Sequence, residues 1–301
     1  MASTRRERTR RVAFATYRQS PDISDDDRLA ADALSRRGIT VEAAVWDAPD
    51  VEWDRFDLVV VRSTWDFHLN ASAYAGWVRR FLDDDGRLWN PPPMILDNLD
   101  KRYLIDLARR GVPVVPTVHV TAGDQQRLAD LVERYAWEDV VVKPAVSASA
   151  RGTWRSSRAG ARRDEERFAT QLRDQDLLVQ PYCPEIATRG EWSLIFFDGE
   201  WSHAVLKRPA HGDFRVQRHF GGQPVGAVPN AKLIEQAGAI LARVPDRLLY
   251  ARVDGIERDG NFVLMELELN EPSLFLSFSE TAALRFADAI VNLVRKDARR
   301  T

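Results

Sequence analysis

The sequence predicts an α/β protein that turns α+β in its C-terminal half. Apolar strand patterns alternate with helix patterns through the first part of the chain, the order that builds a parallel sheet with crossover helices. Beyond residue 183 the strands come instead in adjacent pairs around Asp198-Gly199 and Asp259-Gly260, as in antiparallel hairpins. The arm after the second pair places Glu266, Glu268 and Asn270 two apart, on one face of a strand. Composition and breaks suggest three parts: residues 1–95, 96–182 and 183–301.

Taken in order, Arg11–Thr16 reads as a strand. Ser24–Arg37 reads as a helix, with Ser24 as N-cap, acids in its first turn and Gly38 past its end. Thr40–Val45 and Phe56–Val61 are strands, the latter an apolar run suited to burial on both faces. Ala71–Leu82 is a helix. Arg62-Ser63-Thr64-Trp65-Asp66 lies just past the third strand, where open α/β sheets bind ligands, so Arg62, Ser63 and Thr64 are candidates to hold a substrate carboxylate. Asn90-Pro-Pro-Pro93 reads as a linker. Asp100–Arg110 is a helix ended by Gly111 and Pro113, and Lys101 sits in its first turn, where the helix dipole disfavours a cation and an anion would offset it.

Val114–Val120 opens a second α/β unit, followed by a helix over Leu128–Tyr135 and a buried strand, Asp139–Pro144, that ends in Lys143. Ala145–Thr153 is a run of small residues fit to fold over phosphates. Leu177–Tyr182 is a strand leading to a Pro-containing hinge, Cys183–Ile186. Glu191–Phe197 and Trp201–Arg208 form an antiparallel pair, Asp213–Gln217 and Phe220–Gly222 follow, and helices span Ala231–Arg243 and Glu280–Lys296.

The chain has 301 residues and a formal charge of -2, enough for two or three packed units and no general case for nucleic acid or membrane binding. One cysteine, Cys183, rules out an internal disulfide framework and fits a reducing cytoplasm. No apolar run is long enough to span a bilayer. The basic stretch Met1–Arg11 reads as a frayed tail. Of 43 Lys and Arg, only five are Lys, at 101, 143, 207, 232 and 296. A compact ammonium suits a phosphate oxygen, so the retained Lys101, Lys143 and Lys207 stand out. His203, His211 and His219 lack metal-ligand spacing.

The hairpin Tyr250–Pro272 carries the strongest signal. Along its second arm Val263, Met265, Leu267 and Leu269 alternate with Leu264, Glu266, Glu268 and Asn270. Stacked oxygen ligands beside an apolar face suit a hard cation such as Mg2+. A two-residue Asp259-Gly260 loop would set Asp254 opposite Met265, on the wrong face. A three-residue Arg258-Asp259-Gly260 loop puts Arg252 opposite Glu266 and Asp254 diagonal to it, and that loop or an equivalent one-residue bulge brings Asp254 onto the carboxylate face.

In order and spacing these pieces resemble the ATP-grasp ligases over nearly the whole chain. The matching wording is Lys101 before a helix, Val-Val-Lys143-Pro with a small-residue loop, Val-Gln180-Pro-Tyr182-Cys-Pro-Glu-Ile, Gly-Glu191, Leu-Lys207, Gly-Asp-Phe-Arg215, Arg252-Val-Asp254 and Glu266-Leu-Glu268. Within that family the chain resembles the glutathione synthetase-type members and the cycloserine-pathway cyclo-ligases, which share the Arg-Ser-Thr-Trp-Asp and Glu-Leu-Glu-Leu wording. The resemblance implies an N-terminal parallel-sheet domain plus two ATP-grasp subdomains. It implies ATP held by Lys101, Lys143 and Lys207, adenine at Gln180 and Tyr182, and ribose at Glu191. It implies Mg2+ at Asp254, Glu266 and Glu268, and transition-state stabilisation by Arg252 and Lys207. Arg215 and Asn270 are substrate candidates beside Arg62, Ser63 and Thr64.

The expected activity is an ADP-forming carboxylate–amine ligase that works through an acyl phosphate on a small amino-acid-like substrate. An intramolecular cyclo-ligase, a ligase acting on a peptide and a non-catalytic nucleotide-binding module are the alternatives. The expected partners are small molecules, with no nucleic acid or membrane and room for a homodimer.

Overall fold

The structure, a computed structural model, describes residues 9–297 apart from 85, 211, 218 and 219. The first eight residues of the basic tail, His211 and His219 lie outside the described residues. No described helix is long and apolar enough to cross a membrane.

The N-terminal sheet is parallel, as the alternating pattern predicts. Strands β1 (Arg10–Thr16), β2 (Ile39–Val45), β3 (Leu58–Val61) and β4 (Leu88–Trp89) lie in the order β2-β1-β3-β4. Helix α1 (Asp25–Ser35) starts where expected, because the Ser24 side chain accepts from the Asp27 amide. Helix α2 (Ala71–Arg79) packs on the opposite face. Both faces are buried: Val12 and Phe14 point to one core, Ala13 and Ala15 to another filled by Trp46, Trp53, Tyr74 and Trp77.

Asn90-Pro-Pro-Pro93 is more than a linker. Pro92 opens helix α3 (Pro92–Asn98), a first-turn position where a missing N–H costs nothing. Asn90 is fully buried, and its amide bonds to both Tyr250 and Leu269 backbone carbonyls at 2.9 and 2.6 Å. The helix expected from residue 100 is α4 (Tyr103–Arg109), which begins later and leaves Lys101 in the turn before it.

The central unit is an antiparallel sheet, not a repeat of the parallel one. Strands β5 (Val118–Val120), β6 (Asp139–Pro144), β7 (Trp154–Ser157) and β8 (Leu177–Pro181) run in the order β5-β8-β6-β7. With helices α5 (Leu128–Arg134) and α6 (Glu165–Leu172) they enclose a core of their own. Beyond the short helix α7 (Glu185–Thr188), strands β9 (Glu191–Phe197), β10 (Glu200–Arg208), β11 (Gln223–Gly226), β12 (Tyr250–Arg258) and β13 (Asn261–Glu268) make the third sheet. Its order is β11-β10-β9-β12-β13, all antiparallel. Helix α8 (Ala231–Leu241) covers one face. Helix α9 (Ala282–Asp297) packs Phe286 and Ile290 against Val12, Phe14 and Phe197, so the first and third sheets share a core.

The hairpin corrects the expected turn. Its loop has two residues, Asp259 and Gly260, both in the left-handed region, with Arg258 paired to Asn261. The extra residue is Met265: Gly255 pairs with Leu264, whereas Asp254 pairs with Glu266. Arg252 therefore faces Glu268, not Glu266. The bulge also moves Leu264 off the carboxylate face, since Phe262 and Leu264 join Leu267 and Leu269 in one core while Val263 and Met265 pack on the other side. Gly255 suits the bulge because a Cβ there would sit 2.4 Å from the Val263 carbonyl oxygen and 2.5 Å from the Phe262 ring.

Candidate active site

A cavity of about 830 Å³ opens between the central and C-terminal sheets and reaches α1. At one end Val115, Cys183, Ile186, Val216 and Met265 form an apolar slot. Gln180 is buried beside it, its amide donating to the Thr117 hydroxyl at 2.8 Å. The Tyr182 ring is not among the residues lining the cavity; it stacks with the Arg155 guanidinium at 3.9 Å, and its backbone N–H bonds to the Asp139 carbonyl.

The middle of the cavity is an ionic network fixed by four adjacent strands. From β10, Lys207 reaches Glu191 of β9 at 2.6 Å and Asp254 of β12 at 3.3 Å. Arg252, two residues before Asp254 on the same face, grips its carboxylate through Nε at 3.0 Å and Nη2 at 2.9 Å, and also bonds to Glu268 of β13. Ser193 adds a hydroxyl to Asp254 at 2.6 Å. Lys101 pairs with Glu266 at 3.2 Å and bonds to the Ser147 carbonyl in the small-residue loop. That loop holds Ser149 and Ala150 at φ +54° and Gly152 at +72°, a left-handed path that glycine adopts without strain and the other two do not. Lys143 projects into the same space from the end of β6.

The charges are not evenly balanced. Burial would raise the Asp254 carboxyl, but Arg252 and Lys207 outweigh it and hold it at about 2. Glu268 is pushed up to about 8 by burial, with Glu266 and Asp254 adding repulsion that Arg252 does not cancel. Glu271, at the end of the same arm, rises to about 7 mainly through burial. Lys143 is shifted down by burial and by the neighbouring Lys101, whereas Lys101 and Lys207, also buried, are drawn up by the carboxylates around them. A site with surplus carboxylate at one point and a reluctant ammonium at another is poised to take a polyanion together with a cation.

Among the described residues no three His, Cys, Asp or Glu side chains converge as a ready metal shell. Glu266, Glu268 and Asp254 share one face, but Asp254's oxygens are taken by Ser193, Arg252 and Lys207. The hard oxygens of Glu266 and Glu268, the latter short of counter-charge, are nonetheless the donor chemistry Mg2+ prefers.

At the far end Arg62 is almost fully buried and engaged: it donates to Asp27 and to the Pro272 carbonyl at 2.8 and 3.0 Å. Ser63 and Thr64 are buried and do not line the cavity. Thr64 bonds to Tyr74, which donates to Asn270, and Asn270 does line it. Arg215 also lines the cavity, paired with Asp213 at 2.9 Å and stacked on Phe220 at 3.4 Å. Sequence reasoning missed Glu271 and Tyr74. Glu271 directly follows Asn270, so its place at the end of the carboxylate arm was a readable signal; Tyr74 sits in an ordinary helix pattern and had none.

Comparison with known proteins fixes the family. A model of the D-cycloserine synthetase DcsG N-terminal domain matches residues 12–90. The cycloserine biosynthesis protein DcsG of Streptomyces lavendulae is 34% identical over 299 residues, 94% of this chain and 99% of that protein. The chain belongs to the ATP-grasp ligases. Its fold superimposes on a crystal structure of D-cycloserine synthetase DcsG with a TM-score of 0.83 and 32% identity, covering 94% of this chain and 99% of that one. The ATP complex of D-alanine–D-alanine ligase from Bacillus anthracis shares the fold at a TM-score of 0.66 and 15% identity, over 97% and 99%. As an ATP-grasp enzyme the chain is an ADP-forming carboxylate–amine ligase that uses ATP and small-molecule substrates.

Proposed function

We propose that this ATP-grasp ligase closes a ring on one small amino acid, joining its carboxylate to an amine in the same molecule. The observation that carries this reading is the likeness to DcsG along almost the whole of both chains. Intramolecular closure ranks above joining two substrates for that reason.

In the proposed reaction a carboxylate oxygen attacks the γ-phosphorus, ADP leaves, and an acyl phosphate forms. The amine nitrogen then attacks the acyl carbon, its proton is lost, and inorganic phosphate departs. Such transfer is mostly positioning and neutralisation of charge. Lys101 and Lys143 are assigned to the nucleotide phosphates, Lys207 and Arg252 to the charge that develops on the transferred group. Adenine is assigned to the apolar slot beside Gln180 and the Tyr182 backbone, ribose to Glu191. Lys207 and Arg252 are bound to carboxylates, so phosphate would draw them away and release the oxygens of Asp254. Glu266 and Glu268, joined by Asp254, would then hold Mg2+, which supplies further neutralisation of phosphate charge. Arg62 braces the substrate end from behind; Arg215 and Asn270 face it. The single buried Cys183 fits a reducing cytoplasm.

The test uses the amino acid obtained by opening D-cycloserine at its ring amide. With ATP and Mg2+ the enzyme should yield one ADP per product, and the product should weigh one water less than the substrate with no second amine consumed. ADP formation that requires an added amine would overturn ring closure.

A further inference from the structure

Asn270 is buried at the cavity wall, 3% exposed, and its Nδ2 has no hydrogen-bond partner among the described residues. Its Oδ1 is taken: the Tyr74 hydroxyl donates to it at 2.8 Å. Tyr74 is itself 0% exposed and wedged among rings, with Trp46, Trp77 and Phe67 at centroid distances of 5.1, 5.3 and 5.4 Å. Its hydroxyl therefore has one place to be. The second contact of that hydroxyl is Thr64 Oγ1 at 3.1 Å. A phenol has one proton, and Tyr74 gives it to Asn270, so Thr64 must be the donor in the other bond.

We propose that Tyr74, with Thr64 behind it, is a positioning residue that turns the carboxamide of Asn270 so that its N–H donors face the substrate carboxylate. The chain runs in one direction: Thr64 O–H to Tyr74, Tyr74 O–H to Asn270 Oδ1, which leaves the Asn270 Nδ2–H donors, on a residue of the cavity wall, without an acceptor. A buried amide N–H without an acceptor is unfavourable, and the cavity is where an acceptor can arrive. The acceptor the reaction brings is the carboxylate, or the oxygen it becomes in the acyl phosphate. This deepens the proposed function and rests on it. It also gives Thr64 of the Arg-Ser-Thr segment a task at two removes from the ligand, and it ties α2 of the N-terminal unit to the catalytic hairpin.

Tyr74→Phe removes the hydroxyl and keeps the ring that the aromatic cluster needs. With ring-opened D-cycloserine as substrate, kcat/KM should fall on the order of tenfold, the size of one lost hydrogen bond, while KM for ATP stays within about twofold. Asn270→Ala should fall further, and adding Tyr74→Phe to it should cost nothing more, because the hydroxyl acts through Asn270. Thr64→Val should lower kcat/KM in the same direction and Thr64→Ser should restore it. A parent enzyme that does not turn over the substrate strikes at the ring-closing reading instead. The positioning role has its own readout without substrate: in 15N NMR the Asn270 carboxamide should exchange slowly in the parent and rapidly in Tyr74→Phe. Unchanged carboxamide exchange in Tyr74→Phe would overturn the proposal, as would losses that multiply in the double variant. If Tyr74→Phe does not fold, the Thr64→Val and Thr64→Ser pair decides in the same assays: equal carboxamide exchange in both would overturn it.

Discussion

Glu268 stands between opposing demands. Arg252 bonds to it, yet burial and three neighbouring carboxylates raise it to about 8. Its folded value lies above the ordinary 4.5, so between those values the folded chain keeps a proton that the unfolded chain releases. That stabilising contribution is complete below about pH 4.5 and is lost as pH rises to about 8. Glu271, at about 7, adds to the same slope. Asp254 acts in the opposite sense: held at about 2, it stabilises above its ordinary 3.8, and that contribution is lost as pH falls. Glu268→Gln mimics the protonated form, so ligand-free protein should melt higher than the parent at pH 9, with a flatter slope between pH 5 and 9. The same variant should need more Mg2+ for turnover, because the proposed metal ligand has lost its charge. Melting curves and a Mg2+ titration read the two effects separately, and unchanged Mg2+ dependence would remove Glu268 from the metal site.

At the scale of the element, the hairpin was legible in its chemistry, and its geometry was left between a longer loop and a one-residue bulge. Asp259-Gly260 favours a two-residue turn, and with unbroken pairing that turn would put Asp254 on the wrong face. A longer loop was one way to restore the face; the chain uses a bulge at Met265 instead. The signal was present: the buried positions change parity from Phe262 and Leu264 to Leu267 and Leu269. Gly255 is the backbone requirement of that bulge. Gly255→Ala should destabilise the protein by roughly 1–3 kcal/mol in urea unfolding, the cost of forcing a methyl into a filled space, and should lower ligase activity in the fraction that folds. Parent-like stability and activity would show that the strand pair does not depend on this bulge. The Arg62-Ser63-Thr64 segment was legible as near the site, from its place past β3. Its division of labour was not, because partners such as Asp27, Tyr74 and Pro272 come from distant parts of the chain.

For the molecule as a whole, the period of the N-terminal strands and helices was enough to predict a parallel sheet, and the paired strand patterns an antiparallel one. The sharing of a core between those sheets was not readable, since α9 must fold back over more than two hundred residues to pack on β1. Asn90 is the polar joint of that arrangement. It accepts from the Leu249 and Tyr250 amides at 2.7 and 3.3 Å and donates to the Tyr250 and Leu269 carbonyls. Asn90→Ala leaves several buried backbone groups without partners and should cost roughly 2–4 kcal/mol in denaturant unfolding. Activity should fall with it, because β12 and β13 carry Arg252 and the carboxylates; wild-type stability would show that the joint is not needed.

In the proposed reaction the network of Lys207, Arg252 and Asp254 serves transfer of the γ-phosphoryl group to a carboxylate. Isotope transfer tests it most directly. Ring-opened D-cycloserine carrying 18O in both carboxylate oxygens is incubated with ATP, Mg2+ and the enzyme, and the inorganic phosphate is analysed by mass spectrometry. Passage through an acyl phosphate places one 18O atom in each phosphate released, with the other retained in the ring product, and Lys207→Ala should abolish the transfer. Phosphate free of 18O, released while product forms, would contradict the account.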